Sequence, residues 1–210
     1  MSENPDMSEM DLIREQIMLS CLRHVPFDGW SVEALNAGAA DAGYDDAMAL
    51  RAFSGDMGSV IKLWGAWSDQ QMLDALDEIP KWDEMSVPDR VSAAVKSRIM
   101  VNAEHQEAFR RAASWLAMPI HIPLAMQGTL RTVNAMWYAA GDTATDWNYY
   151  SKRGILSTIY TATVLYWLSD TPDEEGDYPQ TWEFLARRLK DLGTITKAVK
   201  KVKNRMAPCI

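Results

Sequence analysis

The sequence has little of what several large classes of protein require. Its two cysteines, Cys21 and Cys209, stand near opposite ends without metal-ligand spacing, so neither a disulfide framework nor a cysteine-bound metal is predicted. Two uncharged runs, residues 112–130 and 154–169, fall short of a transmembrane span because the first contains prolines and the second is short and rich in Ser, Thr and Tyr. No window alternates apolar and polar residues as a strand would. These absences favour a helical protein of a reducing compartment.

Catalytic signatures are also absent. The sequence contains no G-x-S-x-G, P-loop or dinucleotide fingerprint. Its three histidines, His24, His105 and His121, are far apart, and none follows a carboxylate by three residues, so the Glu-x-x-His pairs of a di-iron bundle are missing. We therefore predict no catalytic residue, no metal and no cofactor. The chain is interpreted as a protein that is not an enzyme.

Helical signals follow one another along the 210 residues. Ser8 opens a capping box with Asp11, and Pro26 is predicted to end the helix that starts there. Ser31 caps a short helix to about Asp41. The chain is also rich in large adaptable side chains, with 9 Trp and 13 Met, which suggests apolar surface for a ligand, membrane or partner. The pattern predicts an all-α fold of about nine helices plus a separable C-terminal amphipathic helix.

The net charge of −8 hides an asymmetry between the two ends of the chain. Residues 1–89 hold 18 acidic and 5 basic residues, a balance of −13, whereas residues 90–210 hold 11 acidic and 16 basic residues, a balance of +5. The acidic start also lacks the apolar segment of a secretory signal. We expect a bacterial cytoplasmic protein peripheral to the inner membrane, or the mitochondrial matrix side if a presequence is missing.

The N-terminal part resembles the helix-turn-helix head of TetR-type regulators. The matching residues are Gly29-Trp30-Ser31, Ala42-Gly43-Tyr44 and Phe53. DNA affinity, however, requires Lys and Arg to neutralise phosphates. Between residues 31 and 53 the only basic residue is Arg51, against four acidic residues: Glu33, Asp41, Asp45 and Asp46. We therefore predict no nucleic-acid binding, and a TetR-type ligand-responsive transcription regulator remains the alternative.

A second resemblance is more specific. The segments MWYAAGDTATDWNYYSKRGIL, with YW and TWEFLARRL after it and SWLAMPIHIPLAM before it, resemble the Coq-nine family, the accessory proteins of ubiquinone biosynthesis. The resemblance covers about residues 9–192. It implies a TetR-like all-α homodimer that does not bind DNA. It also implies binding of a phospholipid or an isoprenoid quinone intermediate, and support of the demethoxyubiquinone hydroxylase at the membrane.

The resemblance also implies a partner-facing patch around the aromatic-rich turn. Asp142 is expected to organise the turn, and Thr143 with Asp146 to cap the following helix. Carried onto this sequence, the patch comprises Met136, Trp137, Tyr149, Tyr150 and Arg153. Rings with polar tips suit such a docking surface.

Two further sets of residues are predicted to contact lipid. The uncharged stretches offer apolar walls for a pocket that would take acyl or isoprenoid chains, lined by Trp115, Met118, Ile122, Met126, Ile159 and Leu165. The C-terminal helix is expected to lie on an anionic membrane surface through an apolar stripe and flanking cations. Its residues are Ile195, Val199, Val202, Met206, Lys197, Lys200, Lys201, Lys203 and Arg205.

The predicted domain organisation follows from these assignments. Residues 8–79 would form the helix-turn-helix-like subdomain and residues 80–192 the lipid-binding and dimerisation domain. Residues 194–207 would form the basic amphipathic helix.

Overall fold

The computed structural model describes residues 8–142 and 147–190, and for residues 147–149 the backbone alone. Within these ranges the regular elements are helices and no strand occurs, which confirms the predicted all-α class. None of the described helices is both long and apolar enough to cross a bilayer. The chain divides into two compact units, each described separately below.

The helices are numbered in chain order. They are α1 (Glu9–Cys21), α2 (Val25–Asp28), α3 (Val32–Asp41), α4 (Asp46–Phe53), α5 (Met57–Asp77), α6 (Val87–Met100), α7 (Gln106–Leu116), α8 (Ile122–Ala139), α9 (Trp147–Trp167) and α10 (179–190). Three short 3₁₀ turns, Trp82–Glu84, Ala103–His105 and Pro119–His121, precede α6, α7 and α8.

Three helix starts are set by polar side chains that cap free backbone N–H groups. The Ser8 hydroxyl accepts from the N–H of Asp11, and the Ser31 hydroxyl accepts from the N–H of Ala34, both at 3.2 Å. The Asp45 carboxylate accepts from the N–H of Met48 at 2.8 Å. Because these groups satisfy donors that lack an intrahelical partner, they fix where α1, α3 and α4 begin. The predicted caps at Ser8 and Ser31 are confirmed.

One helix differs from the sequence interpretation. Pro26 was predicted to end the first helix, but α1 stops at Cys21 and Pro26 lies in the first turn of the four-residue helix α2. Proline is tolerated there because first-turn N–H groups have no intrahelical acceptor. The chain then turns at Gly29, whose φ of +70° suits glycine.

The first unit comprises residues up to Asp74 together with Met100–Thr132. Its helices α1 and α3 approach closely at Gly38, where an added Cβ would lie 2.5 Å from the backbone nitrogen of Cys21. Nearby, Trp64 packs between Trp30 and Phe109, with ring centroids 5.6 and 5.5 Å away. The core of this unit is therefore set by one close backbone contact and a cluster of large rings.

The second unit comprises Ala75–Ile99 and the residues from Val133 on. Here the Trp82 indole donates to the carbonyl of Ala139 at 3.2 Å, and the fully buried Trp167 packs edge-on against Tyr178. The units are not continuous along the chain, because residues 100–132 pack with the N-terminal helices. They therefore differ from the continuous ranges 8–79 and 80–192 of the predicted subdomains.

Because residues 154–169 carry no charge, the sequence predicts that α9 contacts the core on one side and another surface on the other. Its residues Leu156, Ile159 and Val164 are buried, but Gly154, Thr158, Thr161 and Leu165 form an exposed face of the single chain. The spacing of 4, 3 and 4 residues between these exposed positions is that of one helix face. One face of α9 therefore packs into the unit as predicted, and the covering of the other face by a second surface stays a prediction.

Candidate functional site

The aromatic-rich turn begins where α8 ends. The N–H of Gly141 donates to the carbonyl of Tyr138, and the N–H of Asp142 donates to the carbonyl of Trp137, both at 3.0 Å. This pair of bonds is a Schellman motif, in which a glycine of left-handed conformation closes the helix. Gly141 has a φ of +84°, and a Cβ added there would also lie 3.2 Å from the Arg90 guanidinium. The glycine of the predicted GD pair is therefore required by both conformation and space.

Asp142 is the centre of the turn. Its carboxylate is 6% exposed and accepts from the Lys152 ammonium at 2.7 Å and from the Arg153 guanidinium at 3.2 Å. Arg153 also donates to the side-chain oxygen of Asn134 at 2.5 Å. A buried carboxylate is stable only when paired in this way. Asp142 thus ties the end of α8 to the first turns of α9, as the sequence predicted.

The same network orients the rings around it. The Trp137 indole donates to the carbonyl of Lys152 at 3.4 Å, and the Lys152 ammonium lies 5.4 Å from the centre of that ring. Two tyrosine rings are exposed beside the turn, Tyr138 at 80% and Tyr150 at 69%. Amphipathic rings on a rigid support are typical anchors of protein interfaces.

Two residues of the predicted patch lie inside the protein. Met136 is fully buried and Arg153 is 8% exposed, so neither is available as a surface contact in this structure. Met136 shares a helical stripe with Val133 and Ala140, and this stripe packs into the unit. Trp137 is half-buried and Tyr150 exposed, whereas the side chain of Tyr149 lies outside the described residues, as do Thr143 and Asp146.

Sequence reasoning missed Tyr138, although a signal was present. The buried positions 133, 136 and 140 repeat at helical spacing and therefore place residue 138 on the opposite face of α8. Among the side chains that the structure describes at this turn, the exposed rings are thus Tyr138 and Tyr150, beside the half-buried Trp137. We refer to these three residues as the aromatic patch.

The six residues predicted to contact lipid belong to both units. Trp115, Met118, Ile122 and Met126 lie in the first unit, and Ile159 and Leu165 in the second. Ile159 is buried and Trp115 half-buried, while Met118, Ile122, Met126 and Leu165 are exposed. These four side chains therefore lie at the surface of the chain rather than facing its interior. Lipid binding itself stays a prediction.

The predicted membrane-binding residues of the tail lie outside the described residues. They are Ile195, Lys197, Val199, Lys200, Lys201, Val202, Lys203, Arg205 and Met206.

The histidines take structural positions. His24 lies 2.8 Å from the Asp41 carboxylate. The His121 ring stacks on Trp115 with centroids 3.4 Å apart. His105 is half-buried, and burial lowers its pKa, with Arg23 acting in the same direction and Glu104 against it.

Comparisons with known proteins agree with this picture of the chain. Residues 122–196 match the sequence model of the COQ9 family. Similar proteins include the mitochondrial ubiquinone biosynthesis protein COQ9 of Rattus norvegicus, 29% identical over 208 residues, and that of Homo sapiens, 28% identical over 208 residues. Each alignment covers 96% of this chain, which spans 65% and 64% of the length of these two curated relatives.

A solved structure shares the fold. The crystal structure of the TetR transcriptional regulator from Nitrosomonas europaea superposes with a TM-score of 0.66 at 21% identity, over 85% of this chain and 97% of that one. The predicted TetR-like architecture is therefore confirmed. The resemblance seen in the sequence is confirmed as well: this chain is similar to the COQ9 proteins.

Proposed function

We propose that this protein is a non-enzymatic accessory protein of ubiquinone biosynthesis. In this role it would bind a phospholipid or isoprenoid quinone intermediate and present it to the demethoxyubiquinone hydroxylase at the membrane. The names of its relatives support the pathway. The observation that carries the partner role is the aromatic patch, whose exposed rings stand on the Asp142 network.

The rings suit a protein partner for a physical reason. Tyr and Trp bury large areas at little cost in conformational entropy, and they are enriched among the residues that dominate binding energy. Because Asp142 holds both helices that carry them, the rings of Tyr138 and Tyr150 are positioned before the partner arrives. Preorganisation of this kind lowers the cost of association.

The exposed face of α9 supports a homodimer. Gly154, Thr158 and Thr161 are small, and Leu165 adds an exposed apolar side chain one turn further along. A second α9 could approach such a face closely. Burial of Leu165 against its counterpart would remove apolar surface from water.

Affinity measurements can test the proposed hydroxylase contact. We expect Tyr150→Ala to weaken binding to purified demethoxyubiquinone hydroxylase about thirtyfold, because loss of a central ring costs about 2 kcal/mol or more. Phe27→Ala is the matched control, since Phe27 is 84% exposed on α2 and lies outside the aromatic patch. Equal hydroxylase affinity of the wild type and Tyr150→Ala would refute the contact.

Ligand content requires a separate experiment. Native mass spectrometry of the purified full chain should show stoichiometric co-purified lipid or isoprenoid, and organic extraction should identify it. Protein free of lipid when isolated from cells that make ubiquinone would contradict the lipid-binding part of the proposal.

A ligand-responsive regulator is the second candidate, because the fold is that of a TetR regulator. The charge of the head argues against it. Asp45 and Asp46 stand exposed at the start of α4, and Arg51 is the only basic residue of that helix. A mobility-shift assay at low salt distinguishes the two candidates, because phosphate contacts are strongest there.

A further inference from the structure

The last turn of α8, which carries two rings of the aromatic patch, is closed by more than its own backbone. The final carbonyls of a helix have no intrahelical donors. Backbone N–H groups that follow satisfy the carbonyls of residues 136–138. The next two carbonyls are reached from elsewhere in the second unit: the Trp82 indole donates to Ala139 at 3.2 Å, and the Arg90 guanidinium donates to Ala140 at 3.4 Å. Two side chains distant in sequence therefore complete the cap of α8.

Arg90 directs all three of its guanidinium nitrogens at backbone carbonyls. Besides the bond from Nη1 to Ala140, Nε donates to Met85 at 3.1 Å and Nη2 donates to Asp83 at 2.8 Å. The guanidinium carbon lies 5.9 Å from the centre of the Trp82 ring. A planar guanidinium holds such bonds in one geometry, and a positive charge suits the C-terminal end of a helix. Arg90 thus joins the 3₁₀ turn before α6 to the end of α8. We refer to these three hydrogen bonds as the Arg90 fork.

The chain on both sides of the Arg90 fork is tightly constrained. The Ser86 hydroxyl accepts from the N–H of Asp89 at 3.4 Å, and its carbonyl accepts from the N–H of Arg90 at 2.9 Å. Lys81 enters the 3₁₀ turn with a φ of +59°, which residues with a Cβ adopt mainly where surrounding contacts enforce it. At Gly141 an added Cβ would lie 3.2 Å from the Arg90 guanidinium. The two segments are therefore fixed against each other at close range.

We propose that Arg90 is a positioning residue for Tyr138 in the contact with the hydroxylase, an inference that rests on the proposed function. Tyr138 is 80% exposed in the last turn of α8, so its ring takes its direction from the backbone that carries it. The other rings have separate supports. The Trp137 indole donates to the carbonyl of Lys152, and Tyr150 stands on α9, outside the turn that Arg90 closes. Without the Arg90 fork the last turn of α8 would open more often, and Tyr138 would have to be ordered when the partner binds.

Hydroxylase affinity of the full chain gives the first test. Arg90→Gln should weaken binding to purified demethoxyubiquinone hydroxylase about fivefold, the value of one net hydrogen bond. Lys96→Gln is the matched control, because Lys96 lies on the same helix, is also partly exposed, and has its ammonium 5.3 Å from the centre of the Trp182 ring. This control loses the same charge and should bind like wild type. Equal affinity of Arg90→Gln and wild type would overturn the proposal, as would an equal loss in both variants.

A double-mutant cycle separates positioning from direct contact and from a general loss of stability. In a Tyr138→Ala background Arg90→Gln should weaken binding less than about twofold, because the ring that it positions is gone. In a Tyr150→Ala background it should keep its effect of about fivefold. The same loss in both backgrounds would overturn the proposal. If Tyr150→Ala weakens binding and Tyr138→Ala does not, the inference fails while the proposed function stands; if neither does, the hydroxylase contact itself fails.

Hydrogen exchange tests the same support without the hydroxylase. The N–H groups of Gly141 and Asp142 close the last turn of α8 and should exchange faster in Arg90→Gln than in wild type. Helix α10 of the same unit should keep its wild-type exchange rates. Unchanged exchange at Gly141 and Asp142 would overturn the proposal. A uniform acceleration across the second unit would also overturn it, because Arg90 would then act on global stability.

Discussion

Asp69 and Asp142 are two carboxylates of nearly equal burial that serve different purposes. The Asp69 side chain is 8% exposed and accepts from Arg131 and Thr132 at 2.8 and 2.7 Å. The Asp142 side chain is 6% exposed and accepts from Lys152 and Arg153. Asp69 meets partners 62 and 63 residues away, whereas Asp142 meets partners 10 and 11 residues away. The first carboxylate therefore joins distant helices of its unit, and the second shapes one turn.

The surroundings of Asp69 strengthen this contrast. The neighbouring Ser68 hydroxyl donates to the Asn102 side chain at 3.0 Å, and both residues are buried. Three separate segments of the first unit, at residues 68–69, 102 and 131–132, thus meet through polar groups. Buried networks of this kind are costly to leave half satisfied. The separation in sequence between each carboxylate and its partners therefore distinguishes the two networks. The Asp69 network supports tertiary structure, and the Asp142 network supports a local site.

The largest effect on global stability is expected from Asp69→Ala. The substitution leaves the buried Thr132 hydroxyl without this acceptor and removes the carboxylate from Arg131. The expected loss of stability is about 3 kcal/mol. This value is at the lower end for a broken buried ion pair, because Arg131 is partly exposed. Urea unfolding measures the change. Asp74→Ala on the same helix is the control: its carboxylate is exposed, and less than about 0.5 kcal/mol is expected. Similar losses in both variants would remove the special role of Asp69.

A smaller global effect but a sharper local one is expected from Asp142→Ala. Because Lys152 is 38% exposed and can regain water, the loss of stability should be about 2 kcal/mol, below the usual range for a buried pair. Hydrogen exchange should accelerate in the last turn of α8 and the first turns of α9. Hydroxylase affinity should fall with it, because the supported rings lose their fixed positions.

A surface ion pair of the same unit gives the control for Asp142. Glu183 and Arg187 on α10 are both exposed, and Glu183→Ala should change stability by less than about 0.5 kcal/mol. If hydrogen exchange at the end of α8 and the start of α9 were unchanged in Asp142→Ala, the turn would be held by the Schellman hydrogen bonds alone.

The smallest expected effect is on the pH dependence of stability, through His105 of the first unit. Burial lowers the pKa of His105 in the folded protein, so the unfolded chain binds this proton more readily. The contribution of His105 to the free energy of unfolding is therefore fully present above the ordinary histidine pKa. It is lost as the pH falls from about 7 towards 5. Stability curves of His105→Gln should be flatter than wild type over this range. Parallel curves would show that His105 does not carry the dependence.

The same contrast explains what the sequence could reveal. The caps at Ser8 and Ser31 were predictable because each involves residues close in the chain, for which spacing is a sufficient signal. The role of Asp142 was implied by the family resemblance, and its partners are also close in the chain. The Asp69 network could not be predicted, since no local pattern links residues 69, 102 and 131. Helix α2 was missed because Pro26 can either end a helix or start one.

Exposure was the hardest property to predict. The uncharged stretch 112–130 was interpreted as a pocket wall because it lacks charge, but its side chains Met118, Ile122 and Met126 are exposed. An apolar side chain can be buried or exposed, so hydrophobicity alone does not predict whether a residue faces the interior. At Met136 the error ran in the opposite direction, because a motif shared with a family does not distinguish the residues that form a patch from those buried beneath it.

The cap of α4 has a consequence for anions. Asp45 begins this helix by accepting from Met48 N–H, so the positive end of the helix is already occupied by a carboxylate of the chain itself. A phosphate approaching the same helix end would meet fixed negative charge where free N–H groups would otherwise bind it. Asp46 adds a second carboxylate at the same end, and Asp45 is the one that serves both folding and phosphate exclusion. Asp45→Ser would separate them, because a serine hydroxyl preserves the cap and carries no charge.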